Sequence, residues 1–297
     1  MESGYGAVLR KILNSSKILS ESDKTVLRIF WLFQYLRTEA AAVRAVEMTE
    51  STIEISGINN GDLRVGIKEA VMMAVKTFAN SMHIIDDLKF CLIKNKTKYP
   101  FITSDNPAVL TNKWNLEDGR TRGQSVGLHS AGALTMLPLS PKLLLLGYDG
   151  NVYSVPHDRG VLEAKSERDI IAFNQHQFLN CRANVFLKDV EHTVIIHGAH
   201  SEIEDIRPKA RHVVHYAIRH QTEGDFIRYL VIDPSERNRH EDALLHIQVI
   251  HPRPSLWPSQ IKTREKGSVF TNGTGVGYVR YSATLAYGDP QFRKERA

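Results

Sequence analysis

One short polar block stands out as a possible centre of chemistry. Thr103-Ser104-Asp105-Asn106-Pro107 interrupts a segment that is otherwise apolar on both sides. A carboxylate here can act as a general base, orient a substrate or bind a metal ion. Because Pro107 cannot donate to a strand ladder, the segment must break or bulge. The bulge either turns Asp105 and Asn106 into a cleft or only folds the strand over, and both interpretations stay open.

A second group of polar residues lies on an apolar helix face. Gln34 and Arg37 fall within the apolar face of a long predicted helix, and Arg44 follows two turns later on the same face. Two guanidinium groups at this spacing can hold one anion. The alternative is that Arg37 lies at the margin of the face, with its methylenes buried and its guanidinium in water or on a carboxylate.

A third group interrupts another helix. Asn174 and Gln177 lie one turn apart on the apolar face of a helix predicted from Ser166. A buried amide needs hydrogen-bond partners. These two side chains therefore either bond a neighbouring strand end or point into a pocket shared with the other polar groups.

The elements that must position these residues can be read from periodicity and caps. Helical spacing predicts helices over residues 5–13, 22–48 and 63–82, and Ser20 with Asp23 forms a capping-box pattern before the second of them. In the third helix the expected core positions are Val65, Val71, Met72, Val75, Phe78 and Met82.

After residue 88 the pattern changes to short strands. Strands are predicted at residues 90–93, 100–110, 134–139, 143–148, 193–197, 213–219, 226–232, 243–250 and 276–285. A capping-box pattern at Ser166 predicts the helix over residues 166–185. We expect an α+β fold in which a helical part, 1–88, packs on a mostly antiparallel mixed sheet of 89–250 within one compact domain. Residues 251–297 form an extension with a partly mobile tail.

Composition bounds the class of protein. The 297 residues are 42% hydrophobic and 24% charged, which excludes disordered, collagen-like and disulfide-scaffold classes. Cys91 and Cys181 lie in apolar stretches and read as buried thiols, which predicts a reducing, cytoplasmic setting. No signal pattern or membrane span is expected. The net charge of +5 allows an anionic partner, either a small molecule or nucleic acid, and leaves the oligomeric state undetermined.

Other patterns carry less weight. His212 and His215 are three residues apart in a predicted strand and therefore face opposite sides, so we predict no metal site there. Gly273–Gly277 lacks the Lys-Ser/Thr of a phosphate loop, and no cofactor is assigned. The basic run Arg207, Lys209 and Arg211 is either a phosphate-contacting surface or a solvated face.

Several of these motifs together resemble the bacterial domain of unknown function 4238 family. The resemblance rests on residues 101–110, Leu137-Pro138-Leu139-Ser140-Pro141, the aliphatic run to Tyr148, Gln34-Tyr35-Leu36-Arg37-Thr38 and the helix of Asn174, and covers roughly residues 20–187. It supports the fold and the choice of residues, not a reaction. The family's Gln-His-Tyr-x-Pro segment is absent, which implies a divergent binding form, a truncated start or an inactive remnant.

Three functional hypotheses follow. In the first, the protein is a hydrolase of a phosphate-containing substrate, such as a nuclease, with Asp105 as base or metal ligand. Its catalytic residues are Asp105, Asn106, Arg37 and Asn174, and its substrate-binding residues are Gln34, Arg44, Ser104 and Gln177. In the second, the same pocket is a non-catalytic binding module for an anionic ligand or partner. In the third, these residues only tie the sheet to the helices.

Overall fold

The computed structural model describes residues 2–15, 20–57, 64–224, 226–238, 242–286 and 291–297. The helices are Glu2–Ser15 (α1), Glu21–Arg37 (α2), Glu39–Ser56 (α3), Ile67–Ser81 (α4), Lys113–Glu117 (α5), Glu167–Asn180 (α6), Thr193–Ser201 (α7) and Tyr281–Ala286 (α8). The strands are Lys89–Asn95 (β1), Thr103–Ser104 (β2), Val109–Thr111 (β3), Leu134–Ser140 (β4), Leu143–Tyr148 (β5), Tyr153–Ser154 (β6), Val161–Ala164 (β7), Val185–Phe186 (β8), His212–Glu223 (β9), Phe226–Ile232 (β10), Ala243–Val249 (β11), Lys262–Thr263 (β12), Ser268–Thr271 (β13) and Arg293–Arg296 (β14).

The main sheet has five strands in the order β3-β4-β5-β1-β7. Neighbouring strands are antiparallel except β1 and β7, which run parallel. The predicted α+β class and the mostly antiparallel mixed sheet are therefore confirmed. A separate antiparallel sheet has the order β10-β9-β11.

Helices cover both faces of the main sheet. Along β5, Leu143 and Leu145 pack into a cluster with Trp31 of α2, whereas Leu144 and Leu146 pack into a second cluster with Phe173 of α6. Successive side chains of a strand point to opposite faces. Because both faces are buried, the strand is apolar at every one of these positions and shows no polar alternation.

The predicted helix over residues 22–48 is in fact two helices that meet at Thr38. The capping box of Ser20 and Asp23 is confirmed at the start of α2. Thr38, however, has an extended backbone with φ −71° and ψ 151°, and its hydroxyl oxygen accepts the N–H of Ala41 to cap α3. The same hydroxyl donates to Asn106 Oδ1 at 2.9 Å. The break therefore serves a contact with the polar block.

Helix α4 is less buried than its periodicity predicts. Phe78 is buried as expected, but Val71, Met72, Val75 and Met82 are between 39% and 65% exposed. The prediction of a core position was wrong for these four residues. Apolar spacing identifies a helix, and it does not show which face a neighbouring element covers.

Three further local predictions were wrong. Ser166 precedes α6 without a side-chain cap, because its hydroxyl accepts no N–H of the first turn. Residues 193–197 belong to a helix, α7, and the predicted strand at 276–285 contains α8. At the carboxyl end, β14 pairs antiparallel with β13, and the mobility of the tail stays a prediction.

Two general expectations bear on the setting of the protein. Cys91 and Cys181 are both free thiols and both buried, as expected. Within the described ranges, none of the helices has the length and apolar character needed to cross a membrane.

Candidate functional site

Asp105 anchors the loop that follows α6. Its carboxylate accepts the backbone N–H groups of Arg182, Ala183 and Asn184 at 2.8, 2.8 and 2.9 Å. Partial burial acts to raise its pKa, but these three donors and the charge of Arg207 together hold the pKa below its ordinary value. A carboxylate so strongly held in the ionised form is a poor proton acceptor. The geometry is that of a turn-closing group.

Asn106 connects three elements. Its Oδ1 accepts from the Thr38 hydroxyl, and its Nδ2 donates to the carbonyl of Asn180 at 3.1 Å. Asn180 returns a bond from its own Nδ2 to the Asn106 carbonyl at 2.6 Å. The side chain is 1% exposed, so these bonds satisfy a buried amide. Asn106 thereby fixes the start of α3 and the end of α6 to the strand break.

The remaining polar residues of the block and of α6 bond one another or the backbone. Asn174 accepts the N–H of Ile102 at 3.1 Å and donates to the carbonyl of Pro100 at 2.8 Å. Ser104 donates to Gln177 Oε1 at 3.0 Å, and Gln177 donates to the carbonyl of Pro107 at 2.9 Å. α6 thus supplies hydrogen bonds to a segment where the sheet ladder is interrupted. This arrangement is the one that the third sequence hypothesis describes.

Gln34 and Arg37 contact each other near the end of α2. Arg37 donates from Nε to Gln34 Oε1 at 3.2 Å, and its guanidinium lies 4.9 Å from the ring centre of Phe33. Because Thr38 ends α2, Arg44 belongs to a different helix and faces a different space. Arg37 does not line either cavity beside Arg44. The structure therefore does not form the predicted clamp of two arginines.

Arg44 instead meets the basic run that precedes β9. It lines an open cavity of about 880 Å³, here called the vestibule, together with Arg207 and Arg211. Other residues of its wall include Ser51, Asn180, Lys209 and His212. The sequence analysis treated Arg44 and the run 207–211 as separate features. In the structure they line the same cavity.

Arg207 and Arg211 cap the carboxyl end of α6. Arg211 donates to the carbonyl of Leu179, and Arg207 donates to the carbonyls of Cys181 and Arg182. Such bonds are favourable because the last carbonyls of a helix lack internal partners and carry partial negative charge. Each guanidinium has five N–H donors, and these bonds use only the Nη2 group of each. The remaining N–H groups are not used by any carboxylate of the described chain.

The vestibule is electropositive. Arg44, like the other two arginines, forms no ion pair with a described carboxylate. Burial lowers the pKa of Arg211, and the neighbouring charges of Arg207 and Arg44 lower it further. Three like charges that raise one another's energy favour a bound anion. Three acidic residues, Glu47, Glu204 and Asp205, also line the vestibule.

A smaller space, here called the inner chamber, adjoins the vestibule. It has a volume of about 140 Å³, and Arg44, Asn180, Arg211 and His212 line both spaces. Most of its remaining wall is apolar, formed by Tyr35, Met48, Val109, Leu110, Leu179, Val249, Ile250 and Pro252. No aspartate or glutamate is among its described lining residues.

Three histidines, His176, His212 and His251, complete the chamber. Burial lowers the pKa of His176 to about 3, and burial likewise lowers the pKa of His251, whose Nε2 lies 3.1 Å from the carbonyl of Val126. His212 Nε2 lies 3.0 Å from Ser51 Oγ. Among the described side chains, His176 Nε2 and His212 Nδ1 are buried without a hydrogen-bond partner.

The histidines of β9 do not converge on one point. His215 bonds Gln248 at 3.0 Å and stacks on His246, whereas His212 faces Ser51 of α3. Within the described ranges, no three His, Cys, Asp or Glu side chains are placed to hold a metal ion.

The sequence interpretation missed His176 and His251. The sequence contains one indication of a buried polar site in α6, because residues 174–177 are four consecutive polar residues. In the structure all four are buried. A helix with one apolar face cannot bury four consecutive residues unless it is covered on several sides. The placement of His251 beside His176 depends on long-range packing, and no spacing in the sequence encodes it.

The chain belongs to the family described as "Protein of unknown function (DUF4238)", whose match covers residues 1–191. The resemblance seen in the sequence is thus confirmed, and the match extends to α1 and to the residues just beyond β8. A search of curated proteins and a search of solved structures each found no match to this chain. The vestibule combines family residues such as Arg44 with residues beyond the matched region, Arg207 and Arg211 among them.

Proposed function

We propose that the protein is a non-catalytic binding module for a phosphate-containing ligand, which it holds in the vestibule. The observation that carries the proposal is the cluster of Arg44, Arg207 and Arg211 around one cavity, since none of the three forms an ion pair with a described carboxylate. Guanidinium groups match the oxygens of phosphate in geometry and charge. The saturated carboxylate of Asp105 favours binding over turnover at the strand break.

The test removes one cation at a time from the vestibule. Binding of inorganic phosphate and pyrophosphate is measured by isothermal titration calorimetry with the full chain and with Arg44→Gln. Loss of a charge-assisted hydrogen bond weakens affinity by about tenfold or more. The matched control is Arg168→Gln, which removes the same charge from an exposed position of α6. Equal affinities of the two variants, or no binding by the wild type, would contradict the proposal.

One contact favours a second candidate function, hydrolysis of a phosphoester in the same vestibule. Ser51 and His212 lie 3.0 Å apart beside Arg44, and a serine paired with a histidine is the arrangement of an activated nucleophile. Release of phosphate or nucleic-acid fragments by the wild type, abolished in Ser51→Ala, is the expected result of this candidate. Loss of the same activity in Asp105→Ala, with Ser51→Ala unaffected, would place the reaction at the strand break.

We also propose a cytoplasmic location. The support is the pair of free, buried cysteines, since a reducing compartment keeps thiols in that state.

A further inference from the structure

We infer that the ligand carries, next to its phosphate, a single ring that enters the inner chamber. This inference rests on the proposed function, because the phosphate in the vestibule is what places the ring. The two spaces adjoin: Arg44, Asn180, Arg211 and His212 line both. A phosphate held by the arginines therefore directs its ester group either inward or out to solvent.

The size of the chamber selects one ring. Its volume is about 140 Å³. An apolar protein cavity of roughly 150 Å³ stays dry and takes up benzene. A phenyl group or a six-membered heterocycle therefore fills the space, whereas a fused two-ring group exceeds it.

The side chains that line the chamber are of the types that bind an aromatic ring. Apolar side chains come from β3, α6 and β11, among them Leu110, Leu179 and Val249. The wall also contains buried polar side chains, among them His176, which is 3% exposed and whose Nε2 has no partner among the described residues. An unsatisfied buried nitrogen costs free energy that a ligand hydroxyl or ring nitrogen recovers. The predicted ligand class is thus an aryl or heteroaryl phosphate with a polar atom on the ring.

The experiment compares phosphate esters that differ only in their apolar group. Methyl phosphate, phenyl phosphate and 1-naphthyl phosphate are titrated into the full chain, and dissociation constants are measured by calorimetry. Burial of the ring gives phenyl phosphate about thirtyfold tighter binding than methyl phosphate. 1-Naphthyl phosphate does not gain further, because its second ring has no space.

A filled chamber provides the second measurement. Val249→Phe places a larger side chain in the wall of the chamber, so phenyl phosphate is expected to lose its advantage in affinity over methyl phosphate. The control is Val231→Phe, which makes the same substitution at an exposed position of β10. Circular dichroism melting of both variants verifies that each is folded, and the ester series on the wild type does not depend on either variant.

The outcomes separate the inference from the proposed function. Equal affinities of methyl and phenyl phosphate would overturn the ring site and leave the phosphate site standing. Tighter binding of 1-naphthyl than of phenyl phosphate would also overturn it, because size selection would be absent. Failure of all three esters and of inorganic phosphate to bind would overturn the proposed function itself.

Discussion

At the scale of single residues, the partners of a side chain decide whether it performs chemistry or maintains architecture. Asp105 has the residue type of a general base, but three backbone N–H groups already occupy its oxygens. Arg211 has the residue type of a helix cap and performs that role with one of its nitrogens. Arg211 also lines the vestibule, so the same residue contributes to stability and to the proposed binding.

Asp105→Ala is expected to destabilise the fold by on the order of 2 kcal/mol, because three backbone donors lose their acceptor. The pKa of this carboxyl is held below its ordinary value, so its contribution is present above the pKa of the unfolded chain and is lost as the pH falls through the lower folded value. Urea unfolding at pH 7 and pH 3 measures both effects. Asp158→Ala, at an exposed carboxylate, is the control; an equal loss in that variant would contradict the expectation.

His176 gives the fold a second dependence on pH. Burial lowers the pKa of His176 in the folded protein to about 3, whereas the pKa of a histidine in the unfolded chain is near 6.5. Between these values the unfolded chain binds more protons, so stability falls as the pH is lowered, by about 2 kcal/mol between pH 7 and pH 5. In His176→Gln this part of the loss disappears.

The comparison is made by urea unfolding at both pH values. His197→Gln, at an exposed histidine of α7, retains the full loss between pH 7 and pH 5. An unchanged pH dependence in His176→Gln would show that this imidazole is not held neutral.

The sequence predicted which residues around the strand break are unusual more readily than it predicted what they contact. Ser104, Asp105, Asn106, Asn174 and Gln177 were recognised as anomalous because each sits where an apolar residue is expected, and all five belong to one hydrogen-bonded cluster around the strand break. Their partners were not predictable. Most of these bonds join residues that lie more than 60 positions apart, and a single sequence carries no signal at that distance.

At the scale of elements, the break at Thr38 decides which arginines share a space. No glycine or proline marks this boundary. Because threonine is compatible with a helix, the helical periodicity of apolar residues continues across it. The boundary is set by the contact between Thr38 and Asn106, a tertiary interaction that overrides local preference. For the same reason the covered face of α4 could not be predicted, whereas β5, apolar at successive positions, was predicted closely.

Thr38→Val is expected to cost about 1–2 kcal/mol, because the cap of α3 and the bond to Asn106 are lost together. Thr38→Ser keeps the hydroxyl and is expected to stay within about 0.5 kcal/mol of the wild type. Thermal melting of both variants provides the measurement. Equal melting temperatures for the valine and serine variants would show that the hydroxyl does not hold the boundary.

At the scale of the whole molecule, the carboxyl-terminal residues are bound tightly to the family region. Asp169, near the start of α6, accepts bonds from Ser259 and Gln260. Arg280 is 2% exposed, pairs with Asp87 and donates to the carbonyls of Ile84 and Leu128. These contacts join residues 251–297 to both the helical part and α6.

Arg280→Met is expected to lower stability by about 3–5 kcal/mol, because it leaves Asp87 and the carbonyls it serves without their buried donor. Arg293→Met, which removes an exposed guanidinium of β14, is the control and is expected to change stability little. Chemical unfolding of both variants tests the difference. A small effect of Arg280→Met would indicate that the carboxyl-terminal residues dock independently of this side chain.

The vestibule and the inner chamber together are lined by residues inside and outside the region that matches the family. Arg44, His176 and Asn180 lie within residues 1–191, whereas Arg207, Arg211, Val249 and His251 lie beyond them. A sequence that kept the matched region but continued differently would retain one wall of the cavity and replace the other. On the proposed function, the ligand preference of such a sequence would depend on residues outside the region that defines its family membership.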